Sequence, residues 1–277
     1  MVSNFNIIDN VQNFTIPLEK NFQNTNLLNS YLKNNSNDYI LLINIRSLSA
    51  NLNKLIVFIE NLEIKPSIIV CTETWTIGYE NIFNIKNYKL YYNDSKINRS
   101  DGVVIYIKDS ISESTKIIEH DNLKIINTCI KLEDNNILEL SAIYRCHDMT
   151  KLSFINNLQI YLNTKKKVNN HLILGDFNID ILETSNISQE HLNNLLENGF
   201  FPGFKGITRP SENEHGGTCI DNIFIKSETI KTKTYKLSCS ITDHYPLFIG
   251  ISKIKHKKQN NIYKIIKYNK LPKIAKN

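Results

Sequence analysis

Polar side chains that can bind a metal ion or transfer a proton stand at the ends of five short apolar segments of this sequence. Asn44 ends the first segment, and Glu73 lies two residues beyond the second. A single polar residue in such a place is commonly a cap or turn former. Five segments that all end this way point instead to a shared site. Its other members are Asp176 and Asn178 after HLILG, Asp221 within CIDNIFI, and Asp243 and His244 within ITDHYPL.

These residue types fit the hydrolysis of a phosphodiester. Mg²⁺ prefers carboxylate and carbonyl oxygens, and one or two carboxylates suffice because the ion keeps several waters. Hydrolysis also needs an oriented water and neutralisation of the charge that builds on the phosphate oxygens. A carboxylate can accept the proton of that water, and an Asp–His pair favours the imidazolium at neutral pH. The pattern therefore predicts a metal-dependent phosphodiesterase.

Short strands and amphipathic helices would position these residues. The segment 39–45 is typical of a buried strand, 49–62 has apolar residues at helical spacing, and 67–71 is typical of a second buried strand. Antiparallel strands separated by polar turns follow, and then a second group of helices and strands. Two such halves can stack their sheets face to face, with ligands bound where strand ends converge. The further strands are predicted at 88–92, 102–107, 124–132, 137–144, 171–175, 219–225 and 246–251, and the further helices at 151–162 and 189–197.

Composition divides the chain into three parts. Residues 1–37 are polar and predict a poorly ordered lead-in, 38–252 predict one α/β domain, and 253–277 predict a basic tail or linker. The tail holds nine Lys and no acid, so the rest of the chain has 24 basic against 27 acidic residues. A weakly acidic body with a basic appendage fits a metal site that meets a polyanion. A solvated linker explains the tail equally well.

Several classes of protein are disfavoured by the sequence. No segment reaches the roughly 18 apolar residues of a membrane span, so no membrane partner is expected. The polar N-terminal segment does not match a secretory signal. The five Cys show no metal-binding spacing, and an odd, dispersed set is typical of a reducing compartment. The sequence therefore favours an intracellular protein.

The order of the motifs resembles the endonuclease/exonuclease/phosphatase superfamily, which includes abasic-site endonucleases, deoxyribonuclease I and inositol-polyphosphate phosphatases. ETW followed by GDFN and later by TDH is specific, although each motif alone is a weak signal. The resemblance covers about residues 38–252 and implies a DNase I-like four-layer α/β sandwich of two packed, mainly antiparallel sheets flanked by helices. The motifs that carry it are INIRS (43–47), CTETW (71–75), AIYR (142–145), LGDFN (174–178), CIDNIF (219–224) and TDHYPLF (242–248).

The resemblance implies a metal site. Glu73 would be the principal ligand of Mg²⁺, for which Mn²⁺ can substitute, with Asn44 and Asp243 beside it. Abasic-site endonucleases usually carry Asp two residues after the first-strand Asn, where this chain has Arg46. Loss of that carboxylate would weaken any second metal position.

The resemblance also implies the catalytic roles. Asp176 would position or deprotonate the attacking water, and Asn178 would hold that water or a phosphate oxygen. Tyr144 would contact the phosphate. Asp221 would orient His244, which would stabilise the pentacovalent phosphate.

Two segments resemble the endonuclease domains of non-LTR (LINE-type) retrotransposons in particular. These are the Asn-x-Arg-Ser-Leu form at 44–48 and the Thr-Arg…Thr-x-Ile-Asp pattern within 207–221. The implied activity is nicking of double-stranded DNA in the nucleus, leaving a 3′-hydroxyl that primes DNA synthesis. A reverse transcriptase domain of the same element would be the partner. DNA contacts are expected from Arg46, Arg145, Thr208, Arg209 and Thr218.

Three other functions remain open. An abasic-site repair endonuclease needs an aromatic wall for the extruded sugar, and residues 216–220 before Asp221 contain no aromatic residue. Inositol-phosphate or lipid phosphatases show Trp-Cys-Asp-Arg where residues 218–222 read Thr-Cys-Ile-Asp-Asn. A degenerate DNA-binding remnant is a third alternative, against which the intact motifs argue.

Overall fold

Two β-sheets stack face to face, and helices cover the outer side of each sheet. This arrangement is seen in a computed structural model that describes seven stretches of the chain. The described residues are 20–33, 37–75, 83–93, 100–120, 123–212, 216–238 and 241–257.

Four helices and fifteen strands make up the described stretches. The helices are α1 (Thr25–Lys33), α2 (Leu48–Asn61), α3 (Lys151–Thr164) and α4 (Asn186–Glu197). The strands are β1 (Lys20–Phe22), β2 (Asp38–Asn44), β3 (Ile68–Thr72), β4 (Tyr88–Asn93), β5 (Val103–Lys108), β6 (Glu113–His120), β7 (Leu123–Lys131), β8 (Ile137–Tyr144), β9 (Asn170–Asp176), β10 (Phe201–Pro202), β11 (Arg209–Pro210), β12 (Gly217–Thr218), β13 (Asp221–Ser227), β14 (Lys233–Leu237) and β15 (Leu247–Ile251).

Each sheet is mixed but mainly antiparallel. The first has the order β1-β14-β15-β2-β3-β5-β4, and its parallel pairs are β1–β14 and β2–β3. The second has the order β10-β13-β9-β8-β7-β6, and its parallel pair is β8–β9. Strands β11 and β12 form a separate hairpin. The carboxyl ends of β2 and β9 meet across the two sheets, where Asn44 contacts Asp176.

Three apolar layers hold the sandwich together, because strand side chains alternate between the two faces of a sheet. In β2, Ile40 and Leu42 lie between the sheets, whereas Leu41 and Ile43 lie beneath α1 and α2. A third layer fills the space between the second sheet and helices α3 and α4. Burial of these layers supplies most of the favourable free energy of folding.

The predicted four-layer sandwich is confirmed. The strand predicted at 137–144 is observed at Ile137–Tyr144, and the helix predicted at 151–162 is observed at Lys151–Thr164. The sequence did not predict β6 and β14, because charged and polar residues interrupt their apolar pattern. None of the described helices is both long and apolar enough to cross a membrane.

The folded region begins earlier and ends later than predicted. The expected lead-in at 1–37 contains β1 and α1, and Leu28 and Leu32 of α1 are fully buried. This helix has only nine residues and little net apolar character, so its sequence signal is weak. At the other end, Ile254 of the expected tail is also fully buried. Residues 258–277 of the predicted tail lie outside the described residues.

Candidate active site

The site lies at the edge of the sandwich where inward-facing strand residues change from apolar to polar. Asn44 and Asp176 are the last residues of β2 and β9, and their side chains meet between the sheets. Tyr144 of β8 and Asp221 of β13 stand directly beside Asp176 in the strand register. The predicted convergence of strand ends is therefore observed for these four residues.

Asn44 connects the carboxylates of the site. Its Nδ2 donates to Glu73 Oε1 at 2.9 Å and to Asp176 Oδ2 at 2.8 Å. Its Oδ1 accepts the backbone N–H of Arg46 at 3.1 Å. Because both polar ends of the amide are engaged, Asn44 holds the two carboxylates at a fixed separation.

The residues present fit a divalent cation. One carboxylate oxygen of Glu73, one of Asp176 and a ring nitrogen of His244 lie within 4.8 Å of one another, and the two carboxylates are the groups of this cluster that would hold the cation. Two carboxylates this close, one of them fully buried, repel each other unless a positive charge lies between them. Hard oxygen ligands of this kind suit Mg²⁺ or Mn²⁺.

Of the predicted ligands Glu73, Asn44 and Asp243, the first two are in direct contact, and Asp243 has other charged partners. The Asp243 carboxylate pairs with two guanidinium groups, at 3.1 Å from Arg46 and 3.2 Å from Arg209. Burial by itself raises the pKa of Asp243, but the adjacent His244 and, with smaller effects, these two arginines lower it. The Asp243 carboxylate thus lies between two cations, and Asp176 lies beside Glu73.

A buried ion pair forms the second part of the site. Nδ1 of His244 lies 2.8 Å from Oδ2 of Asp221, and both side chains are almost completely buried. Burial by itself lowers the pKa of His244, but Asp221, with smaller contributions from Asp176 and Asp243, raises it to about 9. The imidazole therefore carries a positive charge at neutral pH. Thr242 ties this loop to β2, because its hydroxyl donates to the carbonyl of Asn44 at 2.8 Å.

Asp176 can exchange a proton near neutral pH. Complete burial and the neighbouring Asp221 raise its pKa to about 7, although His244 and the hydrogen bonds from Asn178 and Asn44 oppose this rise. A carboxylate whose pKa lies near the working pH is suited to act as a general base.

Asn178 and Tyr144 complete the wall around Asp176. The backbone N–H of Asn178 donates to Asp176 Oδ1 at 2.9 Å, and its side-chain Nδ2 donates to the carbonyl of Arg145 at 2.8 Å. Burial and the nearby carboxylates of Glu73 and Asp176 raise the pKa of Tyr144. Its hydroxyl therefore keeps its proton and can donate a hydrogen bond.

Backbone strain is concentrated at the same strand ends. Glu73, Asn178 and Arg46 adopt φ angles of 50°, 49° and 44°, and Ser47 and Trp75 also have positive φ. Such conformations cost about 1–3 kcal/mol each for residues other than glycine, and they cluster where function requires them. Sequence analysis had no signal for this strain, since none of these residues is glycine.

The expected DNA contacts divide into two groups. Arg145 is 5% exposed, and its guanidinium donates to the backbone carbonyls of Phe177 and Asn178. Thr208 is fully buried, and its hydroxyl accepts the N–H groups of residues 220 and 221 at 3.2 Å. The expectation is therefore wrong for these two, which support the site from within. The other three, Arg46, Arg209 and Thr218, line a cleft beside Asp243.

Asp101 lies near the site but belongs to none of the sequence motifs. It precedes β5, the neighbour of β3, and its carbonyl accepts the N–H of Trp75 at 2.9 Å. Burial, together with Asp148 and Glu73, raises the pKa of Asp101 to about 6. Only the pairing of β3 with β5 brings it close to Glu73, and the Asp-Gly dipeptide by itself is typical of a turn.

The fold and the site together define a hydrolase of the nuclease and phosphatase class. The chain belongs to the Endonuclease/Exonuclease/phosphatase family, whose pattern it matches over residues 10–244. This confirms the superfamily that the motifs predicted. No curated protein matches the chain significantly.

Solved structures share this fold at low sequence identity. The Xenopus laevis APE2 catalytic domain is similar with a TM-score of 0.63 at 17% identity, covering 80% of this chain and 94% of that chain. A 3′-5′ exonuclease (NExo) from Neisseria meningitidis gives 0.61 at 15% identity, covering 77% and 99%. An AP endonuclease from Archaeoglobus fulgidus gives 0.57 at 18% identity, covering 76% and 98%. These likenesses establish the fold alone.

Proposed function

We propose that this protein is a Mg²⁺-dependent endonuclease that hydrolyses phosphodiester bonds in double-stranded DNA. The observation that carries the proposal is the junction of the two sheets at Asn44. There Glu73 and Asp176 meet beside the buried pair of Asp221 and His244. This arrangement combines a metal-binding carboxylate, a general base and a fixed positive charge.

Each residue of the site performs one part of the hydrolysis. Asp176 accepts a proton from the attacking water, whose oxygen forms the new bond to phosphorus. The positively charged His244 and the protonated Tyr144 donate hydrogen bonds to the phosphate oxygens as negative charge builds there. Glu73 would hold a divalent ion, which would add to this charge neutralisation when bound. The bond from phosphorus to the 3′-oxygen breaks, that oxygen takes up a proton from solvent water to become a 3′-hydroxyl, and Asp176 returns its proton to solvent.

We further propose that the enzyme nicks target DNA for a non-LTR retrotransposon. The support is the Asn-x-Arg-Ser-Leu motif at 44–48 and the absence of an aromatic residue in 216–220. Without an aromatic wall, extrusion of an abasic nucleotide gains little contact to offset its cost. On this proposal the nick primes reverse transcription in the nucleus, and a reverse transcriptase domain of the same element is the partner.

Nicking of supercoiled plasmid tests the nuclease. We expect relaxed circles with Mg²⁺ or Mn²⁺ and none with chelator. Glu73→Gln should lower the rate about 10²–10³-fold, as expected when charge stabilisation in the transition state is lost. DNA binding by this variant should largely persist. The control is Glu63→Gln, which changes a Glu half-exposed at the far end of α2 and should leave the rate unchanged. Full activity in chelator would refute the proposal.

A pair of duplexes separates nicking of intact DNA from abasic-site repair. The two duplexes are identical except that one carries an abasic analogue. We expect cleavage of the intact duplex at preferred flexible steps, with little gain from the analogue. A preference of about a thousandfold for the abasic duplex, roughly 4 kcal/mol in the activation free energy, would make repair the better assignment.

A further inference from the structure

A cleft beside the candidate active site holds two arginines that share the carboxylate of Asp243. The cleft has a volume of about 550 Å³ and is lined by Arg46, Arg209, Thr218, Glu212 and Asp243, among others. Each oxygen of Asp243 pairs with one guanidinium, at 3.1 Å for Arg46 and 3.2 Å for Arg209. The arginine side chains remain 55% and 43% exposed, so a ligand in the cleft can reach both.

The backbone holds Arg46 at the mouth of the site. It lies two residues beyond the end of β2 and adopts a φ of 44°. Its N–H donates to Asn44 Oδ1 at 3.1 Å, and its carbonyl accepts Asn51 Nδ2 at 3.0 Å. The same Asn44 holds Glu73 and Asp176, so the position of Arg46 is coupled to that of the metal-binding carboxylate.

A tight hairpin holds Arg209 on the other side of the cleft. Arg209 of β11 pairs with Thr218 of β12. Gly217 in this hairpin has a φ of 150°, and a Cβ atom there would lie 2.3 Å from the carbonyl oxygen of Arg209. The adjoining Thr208 accepts N–H groups from residues 220 and 221, and its carbonyl accepts the N–H of Tyr245 at 2.7 Å. The hairpin is thereby tied to β13, which carries Asp221, and to the loop that carries His244.

The two guanidiniums have more donors than Asp243 can use. Each has five N–H groups in a planar fork that matches the oxygens of a phosphate. Arg46, Arg209 and Asp243 together carry one net positive charge, and the Glu212 carboxylate on the cleft wall balances it. The unused N–H donors of the two guanidiniums, fixed in position beside the catalytic residues, suit a phosphate adjacent to the one that is hydrolysed.

We infer that Arg46 and Arg209 bind a second backbone phosphate of the nucleic acid, and that Asp243 occupies this phosphate site in the free protein as an internal counter-ion. The inference rests on the proposed function and narrows it. A substrate must bring at least two linked phosphates, one to Asp176 and one to the arginine pair. A polynucleotide meets this requirement, and a small molecule with a single phosphate does not.

Salt-dependent binding of duplex DNA tests the two arginines. Binding is measured in chelator, so that no cleavage occurs, over a series of salt concentrations. The double variant Arg46→Gln/Arg209→Gln should reduce the slope of log affinity against log salt by about 0.9, the value for one lost phosphate contact, and each single variant should reduce it by part of that. Both side chains are substantially exposed, so these variants should fold. An unchanged slope in the double variant would overturn the inference.

Asp243→Asn tests the counter-ion. Removing a competitor for the arginines should tighten DNA binding about two- to fivefold, the range that corresponds to one exposed ion pair. Glu63→Gln is the matched control, because it removes the same charge from the exposed pair with Lys33 at the far end of α2, and it should leave the affinity unchanged. Unchanged or weaker binding by Asp243→Asn would overturn the counter-ion role.

The plasmid assay separates failure of this inference from failure of the proposed function. If the wild-type protein nicks plasmid while the arginine variants keep the wild-type salt slope, the phosphate site is wrong and the nuclease stands. If the wild-type protein neither binds nor nicks duplex DNA, both are wrong.

Discussion

The charge on His244 depends on Asp221, and this dependence can be measured directly. The two side chains form a buried ion pair with a separation of 2.8 Å. Asp221→Asn keeps the size of the side chain and can still accept a hydrogen bond, but it removes the negative charge. Because burial opposes protonation of His244, loss of that charge should bring its pKa from about 9 down to roughly the ordinary 6.5 or below.

The expected loss of charge is large at neutral pH. With a pKa of about 9, roughly 97% of His244 is protonated at pH 7.5, and with a pKa of 6.5 only about 9% is. If the imidazolium is the form that stabilises the phosphate, the nicking rate of Asp221→Asn at pH 7.5 should fall at least about tenfold from protonation alone. The deficit should shrink as the pH approaches 6, where His244 of the variant regains its proton.

Two measurements check this reasoning. Titration of the histidine resonances by NMR in chelator gives the pKa of His244 with and without the Asp221 charge. The pH profile of plasmid nicking, from pH 6 to 9, gives its consequence for the rate. The electrostatic role of Asp221 would be refuted if the nicking rate of Asp221→Asn fell below that of the wild type by the same factor at every pH, or if His244 of the variant still titrated near pH 9.

Two further predictions concern the tail and the core. Because Ile254 is buried, the deletion should begin after Lys257 and remove residues 258–277, which hold six Lys. This deletion should weaken DNA binding and flatten its salt dependence without moving the cleavage positions. An unchanged salt slope would make the tail a linker. His191 is fully buried, no described group hydrogen-bonds its ring nitrogens, and burial lowers its pKa to about 3. Since the folded pKa lies below the unfolded value of about 6.5, the neutral ring contributes stability above pH 6.5 that is lost as the pH falls toward 3. Urea denaturation should therefore show His191→Leu gaining about 2 kcal/mol over the wild type between pH 7 and pH 5, and an equal difference at both pH values would contradict this.

Local sequence patterns determined most of the sandwich and the identity of its polar strand ends. Runs such as YILLINI and HLILG are too short for helices and too apolar for loops, so they predict buried strands without any knowledge of their neighbours. A polar residue at the end of such a run must lie at the edge of a sheet. This is why Asn44, Asp176 and Asp221 were predicted together, and the structure does bring them together.

Elements with weak local patterns were not predicted, because the prediction of strands and helices relied on local patterns alone. β1 and α1 contain few apolar residues, and their place in the fold depends on pairing with β14 and packing beneath the first sheet. Both partners are distant in sequence. Asp101 likewise approaches Glu73 only through the pairing of β5 with β3.

Only the tertiary structure decided which polar groups face the cleft. Arg145 and Arg209 are equivalent by residue type, yet backbone carbonyls surround the first, and the second pairs with Asp243 in the open. In the same way, Thr208 is buried in the interior, whereas Thr218 lines the cleft. Exposure and charge pairing depend on segments that meet only in the folded chain, as the hairpin of β11 and β12 meets Asp243. Residue type and spacing therefore predict the chemistry of the site, whereas the neighbours supplied by folding determine which residue performs each part of it.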